Sequence, residues 1–136
     1  MSRRERYGTR DLAFSRWHRA IPRDDLTWID IDHCAYCDDC KEPLYLMELA
    51  RDVGQAFKAT TVTRRLAQRL AIPALLVLYS ADEQEQITGF RIQRVAPNFT
   101  EMASVEPQVL IDWIHKTRAE HVCIAATTRP SALKAA

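Results

Sequence analysis

The chain has 136 residues, 47% of them apolar, and a formal net charge of +1 from 19 basic and 18 acidic side chains. That length supports one hydrophobic core rather than two, and the apolar share is that of a folded domain. No run reaches the eighteen or more apolar residues of a membrane span, and the arginine-rich N-terminus lacks the apolar segment of a secretory signal, so a cytoplasmic protein is expected.

The net charge favours no partner, but its distribution does. Arg3, Arg4, Arg6 and Arg10 load the first ten residues, and Lys58, Arg64, Arg65 and Arg69 follow one another with no acid between them. The acids gather at Asp24–Asp25, Asp30–Asp39 and Asp82–Glu85. An uneven field of this kind can hold a polyanion although the sum is near zero.

In chain order, residues 1–10 read as a flexible basic arm. Asp11 can cap a short helix running to Arg19, with Leu12, Phe14 and Trp17 as candidates for core contacts, and Pro22 ends that pattern or begins the next turn. Leu26–His33 alternates as a strand, with Trp28, Asp30 and Asp32 on one face and Ile29 and Ile31 on the other. Polar, turn-forming residues follow through Glu42. Leu44–Ala50 is a second strand, with Leu44, Leu46, Glu48 and Ala50 on one face and Tyr45, Met47 and Leu49 on the other. Both faces are largely apolar, which places this strand inside a sheet and makes Glu48 an anomaly.

A helix is predicted from near Gln55 or Thr60 to about Leu70, with Val62, Leu66 and Leu70 as its apolar stripe and Lys58, Arg65 and Arg69 on another. Ala74–Tyr79 is a third strand after Pro73, and Ile87–Val95 a fourth after the acidic turn Asp82–Gln86. Glu106 and Pro107 open a last helix to about Thr117, with Leu110, Trp113 and Ile114 on its apolar side. Residues 127–136 read as a flexible tail. The expected architecture is a single α/β domain over residues 11–126, a small mixed β-sheet flanked by helices.

Two chemistries converge on the first two strands. Carboxylates on adjacent strands suit a divalent cation such as Mg²⁺ or Mn²⁺, which takes hard oxygen ligands and activates water. Asp32 and Glu48 are the best such pair, with Asp30 as a further ligand or orienting neighbour. Between the strands lie Cys34, Cys37 and Cys40. Their spacing is wrong for a disulfide framework and right for metal. The run from Cys37 to Leu44 resembles half of a zinc ribbon or rubredoxin-like knuckle, and a tetrahedral site needs four ligands. The expected set is Cys37 and Cys40 with Cys34 and His33. His18, His121 and Cys123 are alternatives, and one variant joins Cys37 and Cys40 to His121 and Cys123, clamping the C-terminal segment to the hairpin.

Basic side chains supply a route for a nucleic-acid strand. Arg16 and Arg19 lie beside Phe14 and Trp17, a pairing that can meet phosphates and stack bases. Arg64, Arg65 and Arg69 follow directly on the Glu48 strand.

The helix–strand–strand–helix–strand order over roughly residues 11 to 80, with Asp32 near the end of one strand and Glu48 in the next, resembles the PD-(D/E)XK nuclease superfamily. The resemblance implies a restriction-endonuclease-like core, metal ligation by Asp32 and Glu48, and a lysine that positions or activates water. The residue two beyond Glu48 is Ala50, no proline directly precedes Asp32, and the first helix has no glutamate after Asp11, Glu5 being the nearest upstream. Lys58 is the candidate for a migrated catalytic lysine, with Gln55 second. The function so implied is metal-dependent endonucleolytic hydrolysis of DNA, of a branched or junction substrate, by a chain that could dimerise. The alternatives are a zinc-stabilised nucleic-acid-binding protein without catalysis, or a small interaction or assembly protein.

Overall fold

A computed structural model of the chain describes residues 12–21 and 24–123, in two units that meet between Asp30 and Ile31. The predicted arm over 1–10, the cap at Asp11 and the tail over 127–136 lie outside the described residues. The first unit contains helix α1, Ala13–Arg19, none of whose residues is buried; Leu12, Phe14 and Trp17 are exposed and do not make the core contacts expected of them. Phe14 stacks on His18 at 5.1 Å between ring centroids, and His18 meets the edge of Trp28 at 4.8 Å.

The second unit is an α/β fold around a five-stranded mixed sheet in the spatial order β1-β2-β3-β4-β5. Its elements are β1 (His33–Tyr36), β2 (Pro43–Arg51), α2 (Thr61–Leu70), β3 (Ala74–Ala81), β4 (Ile87–Ala96), β5 (Ala103–Val105) and α3 (Pro107–Glu120). β1 and β2 form an antiparallel hairpin, α2 carries the chain over to β3 parallel to β2, and β4 and β5 add antiparallel to the far side. A parallel neighbour requires such a crossover, because a tight turn can only reverse the chain. Among the described residues no helix is long and apolar enough to cross a membrane.

The alternation predicted for the second strand is realised from Tyr45 onward, whereas Leu44, expected on the Leu46 face, clusters with Tyr45, Cys37 and Cys40. Tyr45 and Met47 join Leu75, Val77 and Leu110 on one face, where Trp113 and Ile114 of α3 pack. Leu46 joins Leu76, Leu78 and Val95 on the other, with Ala67 of α2. Glu48 follows the Leu46 face by the two-residue period, which puts it on the α2 side of the sheet, 4% exposed.

Three expectations change. Of Leu26–His33 only His33 is in a strand, since β1 pairs with β2 from His33↔Met47 to Tyr36↔Pro43 and goes no further back. The hydrophobic alternation of Trp28–Ile31 therefore has no strand partner to exploit. The stripe of α2 is also displaced: Thr63 and Ala67 are its buried residues, while Val62, Leu66 and Leu70 are 53%, 37% and 43% exposed. Small side chains let the helix lie close to the sheet, and Thr63 is drawn inward by a polar partner. Strand β5 was not expected, because Ala103-Ser104-Val105 is too short to show a period.

Candidate functional site

The cysteine turn sits at the tip of the hairpin. The Lys41 amide donates to the Cys37 carbonyl at 2.8 Å and the Cys37 amide to the Glu42 carbonyl at 2.9 Å, with Lys41 in the left-handed region at φ 66°. This tight reversal turns the Cys37 and Cys40 side chains inward, where they are 0% and 5% exposed. The chain leaving α3 then brings two more donors to them. Cys37 Sγ lies 3.5 Å from Cys123 Sγ, and Cys40 Sγ lies 3.1 Å from His121 Nε2. The four ligand atoms lie within 4.8 Å of one another.

These residues fit a zinc ion. A tetrahedral site with Zn–S bonds of about 2.3 Å spaces its sulfurs by about 3.8 Å, close to what is found. The sulfurs are too far apart for a disulfide, whose bond is about 2.05 Å. The two facing thiols also act on one another. The Cys37 thiol is pulled down to about 7, chiefly by the backbone N–H of Cys40 aided by that of Asp39. The Cys123 thiol facing it is pushed up to about 11, first by its hydrogen bond to Cys37 and then by burial. The pair therefore shares a proton in the metal-free protein, and a zinc ion held here would replace it and keep both sulfurs as thiolates. Arg118 of α3 reinforces the junction, with Nη2 3.1 Å from Asp39 Oδ2.

Two of the ligands first expected are elsewhere. Cys34 is paired within β1 opposite Leu46, is exposed, and has its Sγ 3.9 Å from the Ala35 carbonyl. His33 stacks on Tyr45 at 5.9 Å. The turn begins at Cys37, so both residues are held in the hairpin ladder and cannot bend back to its tip. His121 and Cys123 take their places. His18 belongs to the first unit.

The second constellation lies at the other end of the hairpin. On β2 the Leu46 amide bonds toward β3, reaching the Pro73 carbonyl at 3.1 Å. By alternation the polar backbone groups of Leu49 face the β1 side, two residues beyond Met47, where the pairing with β1 ends. Side chains satisfy them. The Leu49 amide donates to Asp32 Oδ2 at 2.9 Å, and the Leu49 carbonyl accepts from Lys58 Nζ at 2.9 Å. The Lys58 ammonium also lies 3.1 Å from Asp32 Oδ2 and 3.3 Å from Glu48 Oε2. The remaining Glu48 oxygen, Oε1, accepts a short hydrogen bond from the hydroxyl of Thr63, which is fully buried.

Asp32, Glu48 and Lys58 are thus brought together from the residue just before β1, from β2 and from the irregular segment before α2. Burial pushes the Asp32 carboxyl up, but the Leu49 N–H and the Lys58 ammonium outweigh it and hold it below its usual range. Burial pushes the Lys58 ammonium down, and its hydrogen bonds to Asp32 and Glu48 reverse that, leaving it above the ordinary lysine value. The segment carrying Lys58 is fastened at its start. Arg91 of β4 grips Asp52 with two bonds of 2.8 Å and the Gln55 carbonyl with a third. The Asp52 carboxylate also accepts the Gly54 amide at 2.9 Å, at a glycine whose φ of 84° disfavours a side chain. Gln55 is thereby a fastening residue, donating Nε2 to the Arg51 carbonyl at 2.9 Å.

The other predicted residues are distributed more widely. Asp30, Arg16 and Arg19 belong to the first unit and are exposed. On α2, Arg65 and Arg69 are exposed, while Arg64 is half-buried with its guanidinium 4.9 Å from the centre of the Phe99 ring. Thr63, Asp52 and Arg91 were missed. A threonine three residues into a helix gives no signal until the buried carboxylate opposite it is known.

No protein-family model, no curated protein and no solved structure matches this chain.

Proposed function

We propose that the protein is a divalent-cation-dependent DNA endonuclease of the cytoplasm, with Asp32 and Glu48 as ligands of Mg²⁺ or Mn²⁺ and a structural zinc at Cys37, Cys40, His121 and Cys123. The observation that carries this reading is the convergence of Asp32 Oδ2, Glu48 Oε2 and the Leu49 carbonyl on a single ammonium, at 3.1, 3.3 and 2.9 Å. Two carboxylate oxygens and a carbonyl are the hard donor set that Mg²⁺ prefers, with its other positions left to water. When bound there, such an ion lowers the pKa of water and offsets the charge growing on a phosphate. The order of hairpin, crossover helix and parallel strand, with Asp32, Glu48 and Lys58 in these places, supports the likeness to the PD-(D/E)XK nucleases.

The chain's own residues would divide the remaining work. Lys58, whose ammonium is held above the ordinary lysine value by Asp32 and Glu48 in the metal-free protein, would orient water and steady anionic oxygen by its charge. Thr63 holds one oxygen of Glu48 and keeps the other turned to the site. Arg65 and Arg69 meet the phosphates of the strand beside the site, with Arg64 braced against Phe99 behind them. A branched or junction substrate, and a homodimer to cut two strands, are the finer forms of this proposal.

One observation favours a second reading. Lys58 already neutralises both carboxylates, as a purely structural ion pair would, and this suits a non-catalytic zinc-stabilised nucleic-acid-binding protein. The experiment that separates the two uses zinc-loaded protein with Mg²⁺ or Mn²⁺ on duplex, flap and four-way DNA. Cleavage of at least one of them, abolished by Glu48→Ala, is the expected result. Salt-sensitive binding without cleavage of any, unchanged by Glu48→Ala and weakened by loss of Arg65 and Arg69, establishes the second reading instead.

A further inference from the structure

Lys58 stands where a cation ligand set converges, and the oxygens around it do not depend on it for their positions. Asp32 Oδ2 is tethered by the Leu49 amide at 2.9 Å. Glu48 is tethered through its other oxygen by the buried Thr63 hydroxyl. The Leu49 carbonyl is part of strand β2, which pairs with β3 at this level. Each of the three oxygens is therefore held by a contact that does not involve the ammonium.

The ammonium is also free to leave. Its side chain is 35% exposed, and a lysine stem has four rotatable bonds. The backbone leading to it is fastened upstream by the Asp52–Arg91 pair, with Nε–Oδ2 at 2.8 Å, so the side chain alone has to move. A buried carboxylate left without a counter-charge is strongly destabilising, and Glu48 has a side chain only 6% exposed. Some cation must therefore stand beside Glu48 at all times, and in the metal-free protein the Lys58 ammonium is that cation.

Resting on the metal-dependent reading above, we infer that Lys58 is a built-in competitor for the divalent cation: its ammonium fills the Asp32–Glu48–Leu49 oxygen cage until Mg²⁺ or Mn²⁺ displaces it. The exchange is of one cation for another and breaks no covalent bond. It keeps Glu48 neutralised throughout, weakens metal binding by the strength of the contacts given up, and releases the ammonium toward solvent only when metal is present. An incoming phosphate then meets a freed positive charge at the same moment as a loaded metal site.

Two measurements test the exchange, both on zinc-filled protein so that added Mn²⁺ cannot enter the thiolate site. In the first, amine acylation of the unmodified protein is read by mass spectrometry with and without Mn²⁺. Lys58 labelling rises several-fold with Mn²⁺, while the exposed Lys41 and Lys116, at 63% and 73%, stay constant as internal controls. In the second, Mn²⁺ affinity is measured by electron paramagnetic resonance for wild type, Lys58→Met and Glu48→Gln. Lys58→Met binds about tenfold tighter than wild type, since a competitor worth about one factor of ten is gone, and Glu48→Gln binds more weakly. Constant Lys58 labelling under Mn²⁺, or a Lys58→Met protein that binds Mn²⁺ no tighter, overturns the inference. The outcomes also separate it from the nuclease reading. Cleavage with an immobile Lys58 sinks the exchange alone, exchange without cleavage sinks the nuclease alone, and the absence of Glu48-dependent Mn²⁺ binding sinks both.

Discussion

Thr63→Val is the substitution whose cost follows most directly from the geometry. Valine keeps the shape of threonine and removes only the hydroxyl that bonds Glu48 Oε1. Thr63 is 0% exposed and Glu48 4%, so water does not replace the lost donor. A hydrogen bond to a charged group contributes about 1.5–3 kcal/mol, and Lys58 still neutralises the other oxygen of Glu48, which favours the lower half of that range. We therefore expect a loss of about 2 kcal/mol. For a folded unit of about 100 residues that corresponds to a fall in melting temperature of roughly 8–16 °C at 4–8 °C per kcal/mol. Urea unfolding and calorimetry of zinc-loaded protein read the loss. The same substitution in a Glu48→Gln background should cost only the about 1 kcal/mol of a neutral bond, giving a coupling energy near 1 kcal/mol. A loss below about 0.5 kcal/mol, typical of surface sites, or an equal loss in both backgrounds, refutes the account of how Glu48 is held.

Three further outcomes are expected. Cobalt added to metal-free protein should give the thiolate charge-transfer and tetrahedral d–d absorption of a Cys3His site, lost in Cys123→Ser and kept in Cys34→Ser; the reverse pattern contradicts the ligand set. The Asp52 carboxyl, held down at about 2 by Arg91 and the Gly54 N–H, is lowered relative to the unfolded chain. Its contribution is therefore present above the ordinary carboxylate value of about 4 and lost as pH falls toward 2. Urea unfolding should show wild type more stable than Asp52→Asn at pH 6, with the gap closing between those limits; a gap independent of pH counts against the ion pair. Removing Arg65 and Arg69 together should weaken DNA binding at all sequences alike and reduce the steepness of its salt dependence by about 1.8, or 0.9 per phosphate contact. An unchanged salt slope means that α2 does not meet the backbone.

What could be read from the sequence was whatever rests on local period or on short-range spacing. The interior place of β2 follows from apolar residues on both of its faces, and the helix ending at Leu70 and the strand beginning at Ala74 follow from periodicity stopped by Pro73. The hairpin with a cysteine tip was legible because Cys37 and Cys40 are three apart and followed by proline. Lys58 was found through the gap at Ala50, where the resembled motif places its lysine. Long-range closure was harder to read. Nothing near Cys37 distinguishes His33 and Cys34, which are close in sequence but locked in the ladder, from His121 and Cys123, which arrive from the end of α3. The strand expected over Leu26–His33 failed because alternation reports a two-sided environment and not the presence of a neighbour. The α2 stripe failed for a related reason, since Thr63 is inward to serve Glu48 and a polar residue on the buried side shifts the apparent apolar face.

Diffraction from a crystal of zinc-loaded protein soaked in Mn²⁺, with anomalous data collected below the zinc absorption edge, tests the central claim most directly. The account predicts a manganese peak bounded by Asp32 Oδ2, Glu48 Oε2 and the Leu49 carbonyl, with Lys58 Nζ moved out of contact with Glu48. A cage still filled by Lys58 at saturating Mn²⁺, with no manganese beside Asp32 and Glu48, contradicts it.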